Sequence, residues 1–334
     1  MEDALIKVNN ISKTFRVKKK SKGIIGFIKP SYSKKKAVND ISFTINKGEM
    51  VGFIGKNGAG KSTTIKMLSG ILYPDSGEIN IAGFIPHKQR KQYVANIGVV
   101  FGQKTQLNWD LPLIDSFELI KQIYKIPNEK YEENLDKFIK LLDMNDFLYQ
   151  PVRQLSLGQR MKGDIVAALL HSPKIVFFDE PTIGLDVVAK EKIREFIKYL
   201  NKTEGITMIF TTHDMQDIEK VCERLIIIDK GKKVYDGGIN EIKDSYRTSK
   251  SIEVEFQNYS DISPMKDVII KDVDGYNGKK KSFSFDTTKV NINELMNEII
   301  VKHNIKDISI KEPEIDEIIR SIYEGELKMI WEYI

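Results

Sequence analysis

A glycine-rich segment in the first quarter of the chain carries the strongest chemical signal in the sequence. It reads GKNGAGKS over residues 55–62, follows an apolar strand, and precedes a helical pattern over 63–68, a context that disfavours an ordinary glycine-rich turn. Glycines let consecutive backbone N–H groups curl around an anion, and the start of a helix adds positive potential there. The lysine can then reach the outer phosphates of a nucleotide, and the serine hydroxyl can bind Mg²⁺. The residues predicted to bind phosphate or metal are Gly55, Asn57, Gly58, Ala59, Gly60, Lys61, Ser62 and Thr63.

Two adjacent carboxylates, Asp179 and Glu180, follow the apolar run 175–178. Unbroken apolar runs suit strands that are covered on both faces, and the carboxyl ends of such strands line the ligand crevice of an α/β sheet. We expect Asp179 to hold Mg²⁺ and Glu180 to orient and deprotonate an attacking water, as phosphoryl transfer requires. Alone, such a pair would more often be a solvated strand end, but its combination with a phosphate loop favours catalysis.

Further motifs follow in a characteristic order, and with them the chain resembles the ATP-binding subunit of an ABC transporter over about residues 4–238. The sequence LSLGQ at 155–159 matches the signature of that family. Gln103, His213 and the sequence GLD at 184–186 fall where the family has its Q-loop, switch histidine and D-loop. The signature separates this family from other phosphate-loop ATPases.

This resemblance implies a head-to-tail homodimer or heterodimer in which ATP lies between the phosphate loop of one subunit and the signature of the other. The Ser156 hydroxyl, the Gly158 backbone N–H and Gln159 would form a second anion site at the start of a helix. Leu157 departs from the commonest family pattern, which has glycine there. Because Ser156 and Gly158 remain, we expect the phosphate contact to persist with altered packing.

The resemblance also implies roles for four residues outside these segments. Gln103 would contact Mg²⁺ and the attacking water and relay the nucleotide state into a helical insert. His213 would hydrogen-bond the γ-phosphate, and Asp186 would shape the dimer interface beside Glu180. Phe15 ends the first strand segment where the family has its A-loop, and its flat face could stack on adenine. The alternative for Phe15 is a core side chain near the strand.

Several short sequence segments are similar to segments of the ATPases of ABC-2-type exporters. They are NWDLP at 108–112, DSFEL at 115–119, LSLGQR at 155–160 and the tail segment EPEIDEII at 312–319. One phosphate loop and one signature indicate one ATPase unit per chain. We therefore expect a cytoplasmic subunit, peripheral to the cytoplasmic face of the cell membrane, that drives separately encoded integral membrane permease subunits. Their coupling helices would enter a groove around residues 104–112.

The hydrophobic pattern predicts the strands and helices that must position these residues. Ile41, Phe43 and Ile45 alternate with polar residues, which predicts half-buried antiparallel strands before the phosphate loop. Helical spacing predicts a helical insert over about 104–165. With the resemblance, this indicates an α/β P-loop NTPase fold: a RecA-like core with an antiparallel β subdomain and a helical subdomain.

A small α+β domain is predicted to follow this fold. We place the ATP-binding domain at 1–245 and the second domain at 246–334, with the polar stretch 240–251 as a linker. The second domain shows no cluster of catalytic or metal-binding residues, and we interpret it as an accessory domain for regulation or dimerisation.

Composition excludes several classes of protein. The 334 residues are 41% hydrophobic and 30% charged, which excludes disordered and disulfide-scaffold chains and allows two domains. One cysteine, Cys222, can form neither an internal disulfide nor a thiolate metal site. No window approaches 18 uncharged apolar residues, so no bilayer-spanning helix is expected.

The net charge of +5 is unevenly placed, because the stretch from Arg16 to Lys36, both included, contains nine basic residues and no acid. This basic insertion, residues 17–36, surrounds an apolar hexad at 23–28 and could rest on anionic lipid headgroups. A solvated, mobile loop is the alternative, and nucleic acid is disfavoured as a partner. The rival for the whole chain is a soluble ABC-type ATPase clamp that acts on nucleic acid or another macromolecule.

Overall fold

The structure is a computed structural model that describes residues 4–18, 32–102, 104–244, 249–273, 275–311 and 315–324. The chain divides into two compact units, residues 1–238 and 239–334. The domain limits that we proposed from the sequence, 1–245 and 246–334, stay a prediction.

A six-stranded sheet in the order β5-β6-β7-β3-β8-β9 forms the centre of the first unit. Five strands are parallel and β9 closes one edge antiparallel to β8. The strands are β3 (Met50–Gly55), β5 (Ile97–Phe101), β6 (Ile175–Asp179), β7 (Thr207–Thr211), β8 (Arg224–Asp229) and β9 (Lys232–Gly238). Every residue of β7 is buried, as expected for a central parallel strand covered on both faces.

A three-stranded antiparallel sheet, order β2-β1-β4, packs on this core. Its strands are β1 (Ala4–Lys18), β2 (Tyr32–Asn46) and β4 (Ser76–Ile81). Ile41, Phe43 and Ile45 are buried, as the alternation predicts, in one core cluster with residues of β3, β6, β7 and β8. The α/β P-loop fold with an antiparallel β subdomain is therefore confirmed.

The first unit also contains α-helices. They are α1 (Lys61–Leu68), α2 (Arg90–Val94), α3 (Leu113–Tyr124), α4 (Asn128–Leu142), α5 (Leu157–Leu169), α6 (Val187–Glu204) and α7 (Met215–Val221), with short 3-10 turns at Asn145–Phe147 and Val152–Gln154. The helices α3, α4 and α5 form the helical subdomain. Phe117 of α3 and Phe138 of α4 are buried on the apolar faces that the helical spacing predicts.

The second unit is an α+β module. Its helices are α8 (Ile239–Asp244), α9 (Ile292–Lys302) and α10 (Ile315–Glu324), and its sheet, order β11-β12-β10-β13, consists of β10 (Ser249–Phe256), β11 (Val268–Asp272), β12 (Lys280–Asp286) and β13 (Ile305–Lys311). Val254, Phe256, Phe283 and Phe285 are buried in its core.

The predicted linker at 240–251 is wrong. Helix α8 begins at Ile239 and strand β10 begins at Ser249, so regular structure enters the stretch from both sides. Ile239 and Ile242 are buried and share one face of this short helix. Two apolar residues among polar neighbours were too weak a periodic signal to identify the helix from the sequence.

Within the described residues, no helix combines the length and the apolar character needed to cross a membrane.

Candidate active site

The phosphate loop lies between the end of β3 and the start of α1. Gly58 and Gly60 have φ values of +81° and +115°, which L side chains rarely adopt. A Cβ on Gly60 would also stand 2.5 Å from the Ala37 carbonyl oxygen of β2. The backbone of Gly231, in the β8–β9 turn, donates to the carbonyl oxygen of Ala59 at 2.9 Å. The loop is therefore shaped by its glycines and packed between strand β2 and the β8–β9 turn.

Lys61 begins α1, and its side chain turns back over the loop. The Nζ atom donates to the Gly55 carbonyl oxygen at 2.5 Å, and the residue is only 6% exposed. Burial lowers the pKa of Lys61, while the nearby carboxylates of Glu180 and Asp179 oppose that change. The ammonium group thus faces the two acidic residues that the sequence placed in the same site.

Asp179 ends β6 beside the start of α1. Its Oδ1 accepts from the Ser62 hydroxyl at 3.3 Å and from the Thr211 hydroxyl at 2.8 Å. Thr211 ends β7, the neighbouring strand, and its role was missed by sequence reasoning because nothing in the sequence pairs it with Asp179. The hydroxyl and the carboxylate are hard oxygen donors, the type that Mg²⁺ prefers.

Glu180 adopts a left-handed backbone with φ of +57°. Its backbone N–H donates to the Thr211 carbonyl oxygen at 3.0 Å, which fixes the turn out of the strand. A Cβ on Gly102 would stand 2.0 Å from the Glu180 carbonyl oxygen. Any side chain at position 102 would therefore displace this turn, a constraint that the sequence did not reveal.

His213 follows β7 and faces Glu180. Its Nδ1 lies 3.6 Å from the Glu180 Oε1 atom, and the imidazole is 59% exposed while the carboxyl side chain is 19% exposed. This separation is longer than a hydrogen bond. The two side chains thus stand side by side at the carboxyl edge of the sheet, with the histidine open to a ligand.

Gln103 lies outside the described residues. Both of its neighbours are anchored, since Gly102 N–H donates to the Asp179 carbonyl oxygen at 2.8 Å and Lys104 N–H donates to that of Phe101 at 3.0 Å. Position 103 is therefore bracketed by residues attached to the ends of β5 and β6.

The signature sequence forms the start of α5. Ser156 caps this helix: its Oγ accepts from the Gln159 N–H at 3.2 Å, and the Gln159 Oε1 accepts from the Ser156 N–H at 2.9 Å. This reciprocal capping box uses the acceptor oxygens of both side chains. The hydroxyl proton of Ser156 and the amide protons of Gln159 stay available to an anion.

The D-loop packs against the signature within the same chain. A Cβ on Gly184 would lie 3.0 Å from the Leu157 Cδ2 atom, and one on Gly158 would lie 3.2 Å from the Ala189 Cβ. Asp186 caps α6, its Oδ1 accepting from the Ala189 N–H at 2.8 Å. The Leu157 side chain thus fills space beside Gly184, which gives the sequence departure at this position a packing role.

The structure brings the predicted residues together in two groups. Lys61, Ser62, Asp179, Glu180 and His213 converge at the carboxyl edge of the sheet. The signature and D-loop residues form the other group. Within the described residues, Ser156 and Gln159 make no hydrogen bond to the phosphate loop of their own chain. Phe15 belongs to neither group. The expectation that it ends the first strand segment is wrong, because β1 continues to Lys18, and with 36% of its surface exposed it is not a core side chain.

Asp164 of α5 is a further residue that the sequence did not single out. Its Oδ1 accepts from the Thr105 hydroxyl and the Gln106 N–H, both at 2.9 Å. Burial raises the pKa of Asp164 to about 6, against the effect of these hydrogen bonds. The segment directly after position 103 is thereby tied to the helix that begins with the signature.

Three comparisons agree with this geometry. The family model described as "ABC transporter" matches residues 38–183. The ABC transporter ATP-binding protein NatA of Bacillus subtilis (strain 168) is 36% identical over 213 residues, which are 64% of this chain and 86% of NatA. The linearmycin resistance ATP-binding protein LnrL of the same organism is 35% identical over 207 residues, which are 62% of this chain and 66% of LnrL, just under two thirds.

A solved structure of a dimeric protein has the same fold as the first unit. The ATP-binding cassette MJ0796, in a dimeric post-hydrolysis state bound to ADP and Pi, superposes with a TM-score of 0.60 and 27% identity over 70% of this chain and 98% of that one. This chain belongs to the ATP-binding proteins of ABC transporters and is an ATPase of that family.

Proposed function

We propose that this chain is the ATP-hydrolysing subunit of an ABC-2-type exporter. The observation that carries the proposal is the convergence of Lys61, Ser62, Asp179, Glu180 and His213 at the carboxyl edge of the sheet. Export is supported by the exporter-like phrases in the sequence and by the name of the relative LnrL, which refers to linearmycin resistance.

In the proposed reaction, the phosphate loop binds ATP through backbone N–H groups and the Lys61 ammonium. Glu180 accepts a proton from a water whose oxygen attacks the γ-phosphorus, while the bond to the β,γ-bridging oxygen breaks to release ADP. His213, open to the ligand, donates a hydrogen bond to a γ-phosphate oxygen. Positioning and charge neutralisation supply most of the catalysis of such reactions.

Mg²⁺ fits the donor set that the chain offers. Ser62 and Asp179 would hold it, with Gln103 as a third oxygen donor and the nucleotide phosphates completing its coordination. When bound, Mg²⁺ would neutralise charge on the phosphates. The 3.3 Å separation of the Ser62 and Asp179 oxygens supports this assignment.

The second half of the site is proposed to come from another ATPase subunit, identical or homologous. Ser156 and Gln159 keep hydrogen-bond donors free at the start of a 13-residue helix, next to the Gly158 N–H. Such a helix start attracts phosphate. Dimeric structures of the MJ0796 cassette support a dimer here, and Asp186 would shape its interface from the start of α6.

An exposed apolar surface after the Q-loop, formed by one aromatic and one aliphatic side chain, is the proposed docking site for the permease. Trp109 is 47% exposed and Leu111 is 38% exposed. The Arg160 guanidinium lies 5.3 Å from the centre of the Trp109 ring and fixes the ring beside the start of α5. Aromatic side chains held in this way are typical anchors of interfaces. A coupling helix seated here would contact the segment that Asp164 ties to the signature helix.

Affinity purification from gently solubilised membranes tests the proposed function. With a Glu180→Gln bait and ATP present, we expect one or two multi-spanning membrane proteins to co-purify. A bait that also carries Trp109→Ala and Leu111→Ala should bind ATP equally well and lose most of this recovery. Recovery of soluble protein or nucleic acid alone, with the bait absent from membranes, would contradict the assignment as a transporter subunit. It would favour a soluble ATPase clamp.

The proposed location is the cytoplasmic face of the cell membrane, with residues 17–36 in contact with anionic lipid. Most of this basic insertion, residues 19–31, lies outside the described residues. Each basic residue near an anionic surface contributes about 1 kcal/mol. The chain should therefore float with vesicles of phosphatidylglycerol and phosphatidylcholine, whereas a variant lacking residues 19–31, which keeps the paired residues of β1 and β2, should not. Equal flotation of both chains, or equal binding to pure phosphatidylcholine, would contradict the lipid contact.

The second unit, without a described metal-binding cluster, is proposed to act as an accessory domain in regulation or dimerisation.

A further inference from the structure

The hairpin formed by β1 and β2 reaches the phosphate loop. The two strands pair antiparallel, and Phe15 is directly opposite Lys35. Residues directly opposite each other in an antiparallel pair point to the same face of the sheet. Lys34 is the next residue along β2 and is opposite Arg16, so it belongs to the other face.

The Lys35 ammonium group lies against the phosphate loop. Its Nζ is 4.0 Å from the position that a Cβ on Gly58 would occupy. Gly58 itself has φ of +81°, part of the backbone curvature that presents N–H groups to phosphate. A lysine on the hairpin thus stands over the loop, although it is separated from Lys61 by 26 positions in the sequence.

The Lys35 ammonium group also has no hydrogen-bond or ion-pair partner within the described part of the chain. The residue is exposed, and no described carboxylate or carbonyl group pairs with its ammonium group. Lys61, in contrast, is buried and donates to the Gly55 carbonyl oxygen. The two ammonium groups therefore differ in their surroundings: that of Lys61 is buried and bonded to the loop, and that of Lys35 is exposed next to the loop.

We infer that Lys35 is a second phosphate-binding lysine of the ATP site, which the hairpin supplies to the phosphate chain of the nucleotide. Its flexible stem lets the ammonium group move the short distance from Gly58 to a phosphate oxygen. Its neighbour across the hairpin, Phe15, places the same face of the hairpin beside the proposed adenine position. The inference rests on ATP binding at the phosphate loop and needs neither the export direction nor the permease.

Nucleotide affinity of the full chain tests the inference. Calorimetric titration with ADP and with a non-hydrolysable ATP analogue, both with Mg²⁺, should show a Kd about five times higher for Lys35→Gln, as expected for one partly solvated charge-assisted contact. Lys35→Arg should restore the affinity to within about twofold. The increase should shrink as salt is raised, since the contact is open to solvent.

The matched control is Lys34→Gln, which removes the same charge from the other face of the hairpin. It should leave both Kd values within about 1.5-fold of the wild type, since the Lys34 side chain belongs to the other face of the hairpin and an exposed charge without a direct contact acts only through a field that salt weakens. An equal effect of the two substitutions, or no effect of Lys35→Gln, would overturn the inference. So would a Lys35→Gln effect that Lys35→Arg does not restore and that comes with a lower thermal midpoint, because it would identify a role in folding.

Discussion

Replacing Glu180 by glutamine is expected to lower the rate of ATP hydrolysis by about 10²–10⁴-fold, the range that a positioned general base contributes. The amide keeps the size and the hydrogen-bonding reach of the carboxylate but cannot accept a proton. The backbone should hold its place, because the turn at Glu180 is fixed by the Thr211 carbonyl oxygen and by the close approach of Gly102. ATP affinity should therefore stay within about threefold of the wild type.

Phosphate release under single-turnover conditions, together with ATP titration, measures both effects. Light scattering should then show an ATP-dependent dimer that persists in the variant, since product formation no longer ends it. Glu223→Gln is the matched control: Glu223 is exposed and directly precedes β8, so it lies at the amino end of that strand, and its loss should change the rate less than twofold. Hydrolysis by Glu180→Gln within tenfold of the wild type would exclude Glu180 as the base.

Much of this site could be predicted because its signals are local in the sequence. The phosphate loop needs glycines, lysine and a hydroxyl within eight residues, and the strand before it and the helix after it are visible from apolar spacing. Asp179 and Glu180 are recognisable because an unbroken apolar run precedes them. In both cases the chemistry and the element that positions it are adjacent in the chain.

The missed residues act across the fold. Thr211 bonds to Asp179 from the next strand, and Gly102 is required by the backbone of Glu180, 78 positions away. Lys35 reaches Gly58 only because the hairpin register places it there. None of these contacts has a pattern along the chain, since each depends on which strands become neighbours and on their register. Strand order is decided by tertiary packing, so these residues carry no recognisable signal in a single sequence.

A buried ion pair behind the site shows the same dependence on tertiary contacts. Asp217 of α7 is completely buried, and its Oδ1 accepts from the Nε of Arg194 of α6 at 2.6 Å and also from its Nη2. The other carboxylate oxygen accepts from the Thr182 hydroxyl at 2.5 Å. Thr182 follows Glu180 by two residues, and α7 begins two residues after His213. Through its bond to Thr182, Asp217 therefore joins the segments that carry both catalytic side chains, and Arg194 holds the Asp217 carboxylate in place.

Asp217→Ala is expected to lower the free energy of unfolding of the first unit by about 3–5 kcal/mol, because it leaves the Arg194 guanidinium buried without its partner. Arg194→Met combined with Asp217→Leu should recover most of that loss, since apolar residues of similar volume replace a buried pair at little cost. Lys190→Met is the control: its partner Asp214 and the lysine are 27% and 23% exposed, and such a pair contributes about 1 kcal/mol or less.

Urea unfolding at 25 °C measures these differences, and the transition that ATP shifts to higher urea identifies the unit that binds nucleotide. The loss in Asp217→Ala should appear in that transition and leave the other unchanged. Because the Asp217→Leu substitution also removes the bond from Thr182 that joins the Glu180 and His213 segments, the double variant should refold yet hydrolyse ATP more slowly than the wild type, with a lower kcat at a similar KM. Full activity in the double variant would mean that the pair stabilises the fold without positioning the two catalytic side chains.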